Sequence, residues 1–231
     1  MRIRTIGTSL TVLATLALAG CSDTGTSQDV SPQAGAPSGA SKPGAAKTGA
    51  PLSSDVLSAR LLTTADLGQD YAPKAESTAR HDDVTVIGCP ALEQLGGDAA
   101  AGGSLDFPNE AKAAFVYAGS ADSEITEELY SDSVPKLSSG TKQIFEAMTG
   151  CPVYQIVVGS DPVKITTQKL AAPALGDEAW SQLLTFTVGG RDSVVKQTAV
   201  RSGVVLLVVS GSPALVDSHT QKALDKALAS R

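Results

Sequence analysis

The stretch LLTFTVGGRDSVVKQTAVRSGVVLLVV, Leu183 to Val209, decides the fold. Thr185-Phe186-Thr187-Val188 alternates polar and apolar with period two, as a half-buried strand does. Gly189-Gly190 and Ser202-Gly203 are tight-turn signals between consecutive strands. The three strands they separate are Leu183 to Val188, Ser193 to Val200, and Val204 to Val209. The last is wholly apolar, so it must lie centrally in a sheet and be covered on both faces.

Working outward, two more strands precede this stretch, Val153 to Val158 and Val163 to Leu170. Pro213 follows it and opens a last helix, with Leu215, Val216, Leu224 and Leu228 inward. Further upstream, Ser133-Val134-Pro135 reads as a cap with proline in the first helical turn. Leu137, Thr141, Ile144, Phe145 and Met148 then recur at helical spacing up to Gly150. Ala111 to Tyr117 and Ile125 to Tyr130 are strand candidates. Val84 to Pro90 is an extended piece that leads to a turn, with Pro90 as the first residue of a short helix through Leu95, stopped by Gly96-Gly97. Thr63-Thr64-Ala65-Asp66-Leu67-Gly68 is a capped turn ended by glycine. The fold class is α+β: one domain, a curved antiparallel meander with helices packed on it.

The start of the chain has a different character. Arg2 and Arg4 precede an apolar run from Ile6 to Ala19, too short to span a bilayer core that needs about 20 helical residues. It reads as a secretory signal. Leu18-Ala19-Gly20-Cys21 resembles the bacterial lipobox, which implies cleavage before Cys21 and a diacylglycerol on its sulfur. Two or more acyl chains anchor a protein stably, whereas one does so only marginally. Ser22 to Ser53 is rich in Gly, Pro, Ser, Ala and Thr, and cannot bury enough apolar surface to offset its ordering entropy. A coil of about 32 residues reaches roughly 30 Å. The division is therefore 1–20 signal peptide, 21–53 lipid-anchored linker and 54–231 domain, with the protein on the extracytoplasmic face of the cell membrane.

The formal net charge is −6. Loss of Arg2 and Arg4 with the signal makes the remainder more acidic still. A chain of this kind without a basic cluster excludes nucleic acid as a partner. Aromatic residues make up only 4%, too few for a stacking platform. Cys21 taken by lipid leaves Cys89 and Cys151. Outside the cytoplasm two remaining cysteines usually pair; two separately buried thiols are the alternative. Pairing closes a loop of about 62 residues, worth roughly 4 kcal/mol in the chain-entropy model. No metal ligands sit at useful spacing around them, and no cofactor is expected.

Several marks together resemble one family. They are the lipobox and tether, Leu61-Leu62-Thr63-Thr64-Ala65-Asp66-Leu67-Gly68, and the two sites Gly88-Cys89-Pro90 and Gly150-Cys151-Pro152. Leu175-Gly176-Asp177-Glu178 and the valine-rich strand after Arg201-Ser202-Gly203 complete the set. The combination is similar to the PknH-like extracellular sensor domains of actinobacteria, many of whose relatives are free-standing lipoproteins. The resemblance implies an α+β domain with a ligand groove beside a curved sheet. It also implies that the family's disulfide falls on Cys89 and Cys151, and it assigns no groove residue. The Gly-rich loop, His-Arg-Asp and Asp-Phe-Gly signatures of a kinase are absent.

Enzyme constellations are weak. His81 and His219 are the only histidines, and no Gly-x-Ser-x-Gly elbow accompanies them. His219 is expected on the solvated face of a helix. His81, followed by Asp82-Asp83, is expected in a polar loop rather than on a cation. Ser133-Val134-Pro135-Lys136 and Ser139-Gly140-Thr141-Lys142 match Ser-x-x-Lys, but Lys47-Thr48-Gly49 lies on the wrong side of them and Ser-Asp-Asn is missing. Glu124, Glu127 and Glu128 are expected to be solubilising charges on an edge strand rather than a glycosidase pair. Asp177 and Glu178 beside Trp180 allow two readings: a pocket mouth, or a turn with a core tryptophan behind it. The leading function is a non-catalytic ligand-binding or sensing module. An assembly lipoprotein that binds an envelope protein through a flat apolar patch is the alternative, and an envelope hydrolase is third.

Overall fold

The structure is a computed structural model that describes residues 49–75, 84–97, 99, 107–119 and 123–229. The expected turn at Gly189-Gly190 is present, with φ of 57° and 79° at the two glycines. Two successive left-handed residues match the right-handed twist of the strands they join, and glycine takes them without steric cost. The turn links β7 (Glu178–Val188) to β8 (Arg191–Ser202), which pair antiparallel from Val188 opposite Arg191 to Glu178 opposite Arg201. After Gly203 the chain returns as β9 (Val205–Gly211) against β8.

Six further strands extend this hairpin core. They are β1 (Tyr71–Pro73), β2 (Val84–Ile87), β3 (Asn109–Tyr117), β4 (Glu124–Ser131), β5 (Val153–Val158) and β6 (Asp161–Lys169). The described strands form one open antiparallel sheet in the order β1-β3-β4-β9-β8-β7-β6-β5-β2. Five helices with described bounds accompany it: α1 (Ser54–Ser58), α2 (Thr64–Leu67), α3 (Pro90–Leu95), α4 (Val134–Gly150) and α5 (Pro213–Leu228). The α+β class and the single sheet agree with the sequence reading. β1 went unread because three residues cannot show an alternation.

β9 shows why its sequence is wholly apolar. Every residue from Val205 to Val209 is at most 4% exposed. Successive side chains point to opposite faces. Val205, Leu207 and Val209 join Leu57, Leu62, Ile125, Leu129, Val216 and Leu224 under α1 and α5. Leu206 and Val208 join Tyr130, Leu137, Phe145 and Ala199 under α4. A third cluster, with Leu92, Met148, Tyr154, Ile156 and Ile165, lies at the β5–β6 end beneath α3 and the end of α4. Cys89 and Cys151, which directly precede α3 and directly follow α4, are joined by a disulfide with Cα atoms 5.7 Å apart.

Two expectations need correction. β4 is not an edge strand: β3 and β9 flank it, and Glu127 and Glu128 are 1% and 5% exposed. Adjacent glutamates look like surface charge, but in a strand they point to opposite faces, and here each finds its own partners. Leu228 is 40% exposed rather than inward. The buried stripe of α5 runs through Val216, Thr220, Ala223, Leu224 and Ala227, which leaves the helix's last residue on its flank.

Upstream of α1, the backbone N–H of Leu52 donates to Ser131 Oγ at 2.8 Å, and the Leu52 side chain packs against the core. Thr63 donates its backbone N–H (2.8 Å) and its hydroxyl (2.6 Å) to the Asp66 carboxylate, closing the first turn of α2.

Candidate functional site

Helix α4 is held to the sheet near each end. Toward its start, Ser138 Oγ donates to Glu178 Oε1 at 3.0 Å. Glu178 Oε2 accepts from Arg201 Nε at 2.8 Å, and Asp177 Oδ2 accepts from Arg201 Nη1 at 3.1 Å and from the Gly203 N–H at 2.7 Å. Arg201 is 5% exposed, so its charge requires these partners. Its guanidinium holds the Glu178 carboxyl below the usual range. Gly176 makes the corner possible: with φ +61°, a Cβ there would meet the Arg201 carbonyl oxygen at 2.5 Å. At the far end of α4 the disulfide holds Cys151, and Thr167 Oγ1 donates toward the carbonyls of Met148 (2.8 Å) and Cys151 (3.0 Å).

Between these attachments, along one flank of α4, helix and sheet border an open cleft of about 410 Å³. Lys142, Phe145, Glu146 and Thr149 of α4 form one wall. Ala179, Trp180 and Ser181 of β7 form the other, and Lys169, Leu170, Ala171 and Ala172 close an end. The Phe145 and Trp180 rings lie 6.4 Å apart at 36°. Lys142 and Glu146 pair across one helical turn at 3.8 Å. The Thr149 hydroxyl is engaged with the Phe145 carbonyl at 2.6 Å. Next to Trp180 along the same face, Gln182 is fully buried and donates to Gln197 Oε1 at 2.8 Å. A cavity of this size, mostly apolar with a few polar groups at its walls, has the form of a small-molecule site.

Trp180 therefore lines the pocket, but Asp177 and Glu178 do not form its mouth; both are committed to Arg201. The remaining pocket residues escaped sequence reasoning for physical reasons. Phe145 belongs to the apolar stripe of α4 and looks like core. Lys142 and Glu146 look like any solvated pair four residues apart. Lys169 ends a strand with no motif around it.

The other candidates resolve as follows. Glu128 is paired with Lys112 and accepts from the Tyr130 hydroxyl at 2.9 Å. Glu127, on the opposite face, accepts the Leu62 N–H at 2.7 Å, and its Oε1 has no partner among the described residues. Burial pushes its carboxyl up to about 7. The two carboxylates face away from each other, so they cannot act together on one substrate. Ser139 Oγ donates to the carbonyls of Pro135 (2.7 Å) and Lys136 (3.4 Å), and no lysine ammonium is among its partners in the described residues. Ser133 precedes the first turn of α4, and Lys136 reaches Asp132 at 3.4 Å.

His219 is not on a freely solvated face: its Nε2 lies 2.7 Å from the Tyr71 hydroxyl, the rings meet edge-on, and burial lowers its pKa. The helix carries it toward β1, the strand whose tyrosine the sequence did not place. Cys21 and His81 lie outside the described residues. Among the described residues, no three His, Cys, Asp or Glu side chains gather as a metal site, and no helix is long and apolar enough to cross a membrane.

Comparison with known proteins adds a likeness of fold. No protein-family model matches the chain, and no curated protein matches it in sequence. Among solved structures it is similar to the extracellular domain of PknH from Mycobacterium tuberculosis, with a TM-score of 0.56 and 14% identity, over 77% of this chain and 97% of that one. At that identity the likeness is one of fold.

Proposed function

We propose that this chain is an extracytoplasmic lipoprotein, anchored to the cell membrane through Cys21, whose domain is a non-catalytic ligand-binding or sensing module with the α4–β7 pocket as its site. The pocket is the observation that carries this reading: a concave cavity walled by Phe145 and Trp180. The lipobox and the fold shared with a kinase's extracellular domain support the location. Against a hydrolase, His219 meets Tyr71 rather than a serine. A concave cavity favours a ligand over the flat patch that an assembly role would use.

A thermal-shift screen of the full chain against cell-wall fragments, lipids and metabolites tests the binding function. The expected result is stabilisation by one ligand class, lost in Trp180→Leu; no stabilisation by any class overturns it. For the anchor, Cys21→Ser should release the protein or leave its signal uncleaved. Processed variant that still fractionates with membranes refutes the lipid attachment.

A further inference from the structure

We infer that the α4–β7 pocket takes a small organic anion with a flat apolar body, such as an aromatic carboxylate. The inference rests on the reading of this pocket as a ligand site and adds the chemical class. Its first support is the aromatic pair. The chain has one tryptophan and four phenylalanines, and the pocket brings Trp180 and Phe145 together. Trp180 is half-buried, so its ring is held in place yet open to the cavity. Ring faces and edges favour a flat partner through stacking and edge contacts. Leu170, Ala171, Ala172 and Ala179 complete an apolar lining.

The second support is charge. The protein as a whole is acidic, with 24 Asp and Glu against 18 Lys and Arg. The pocket inverts this balance. It holds two lysines, Lys142 and Lys169, and one acid, Glu146. Glu146 is shared with Lys142 over 3.8 Å. Lys169 is exposed and has no ion-pair partner among the described residues. An ammonium at the rim of an apolar cavity attracts an anion there while the surrounding acidic surface repels it elsewhere. Burial of the apolar body beside the charge lowers the local dielectric and strengthens the pair. A neutral sugar would leave the lysine unused, and a cation would be repelled by it.

Calorimetry on the full chain at low ionic strength tests this with two shape-matched probes, naphthalene-2-carboxylate and naphthalene-2-carboxamide. The carboxylate should bind about tenfold more tightly, the scale of one charge-assisted contact. Lys169→Met should bring the ratio close to one, chiefly by weakening the carboxylate, and Glu146→Gln should raise it. Trp180→Leu should weaken both probes alike. Lys169 and Glu146 are exposed, so their variants do not depend on repacking a core. Equal binding of the two probes overturns the anion class and leaves the pocket reading standing. A carboxylate preference that survives in Lys169→Met overturns the assigned cation. Decanoate binding as tightly as naphthalene-2-carboxylate overturns the flat body. Failure of both probes overturns the inference; a different ligand found by the thermal screen then preserves the pocket function, and an empty screen removes both.

Discussion

The two faces of the sheet are closed in different ways. On one face α5 lies along β4, β9 and β8, and its inward stripe is Val216, Thr220, Ala223, Leu224 and Ala227. Three of these five are alanine or threonine, which allow close approach, and the strand side chains fill what remains. On the other face α4 is attached near each end, and its inward Leu137, Thr141, Phe145 and Met148 are interrupted by a cavity beside Phe145. The sealed face hides an acid with one unsatisfied oxygen, Glu127. The gapped face has Arg201 and its carboxylates at one attachment and a disulfide at the other. A helix packed continuously makes a core. A helix whose apolar stripe is interrupted beside Phe145 leaves room for a site.

The strongest way to break this contrast is to cut the covalent attachment. Replacement of Cys89 and Cys151 by alanine should destabilise the domain by about 4 kcal/mol, as the entropy of closing a loop of this length predicts. That is a large share of a typical 5–15 kcal/mol stability. Urea titration of the variant measures it, and a disulfide-linked tryptic peptide containing both cysteines verifies the bond in the parent. Unchanged unfolding midpoints would remove the disulfide from the account of how α4 is held.

The sealed face has its own test. Burial pushes the Glu127 carboxyl up to about 7 in the fold, against 4.5 for a free glutamate. The folded state therefore binds the extra proton more readily than the unfolded state between those values. Stability from this group is full below about pH 4.5, falls as pH rises through the window, and stays low above 7. The span corresponds to roughly 3 kcal/mol. His219 opposes it: its lowered pKa supplies stability above about pH 6.5 that is lost on acidification. Asp66, held near 2 by Lys226 and Thr63, acts only in stronger acid. The difference between parent and Glu127→Gln isolates the carboxyl. The variant should be the more stable of the two at pH 8, with the gap closing toward pH 5. A constant difference across that range would mean that Glu127 is ionised and satisfied throughout.

How much of this could be read from the residues depends on where the information lies. β7, β8 and β9 announce themselves by alternation, paired glycines and an unbroken apolar run, all local signals. The caps of α3 and α4 are equally local, because proline at a first turn needs no knowledge of the rest of the fold. Burial of Glu127 and Glu128 is not local. It depends on β4 lying between β3 and β9, and on Leu62 arriving from 65 residues away. The pocket is less legible still. Trp180 drew notice as the only tryptophan, but a cavity is a mismatch between two surfaces, and no residue on α4 records the distance to β7. Arg201 enters the sequence reading only within the Arg201-Ser202-Gly203 mark, where an arginine before Ser-Gly reads as turn polarity, and its burial appears only when Glu178 is placed opposite it in register.

The mildest perturbation bears most directly on the gapped face. Ser138→Ala removes the hydroxyl that ties α4 to Glu178 and leaves the Arg201 ion pair in place. Glu178 keeps one charge-assisted partner and is partly open to water, so the cost should be near 1 kcal/mol rather than that of a fully orphaned buried carboxylate. Global unfolding by urea should therefore shift only slightly. Local behaviour should shift more, because helix segments open independently of the whole when few contacts hold them. Amide hydrogen exchange should quicken over the first half of α4, residues 134–142, and remain unchanged in α5, whose packing is continuous. If exchange is unaltered in α4, or quickens equally in both helices, then α4 is held by its apolar stripe along its whole length and the cavity beside Phe145 is an ordinary packing defect.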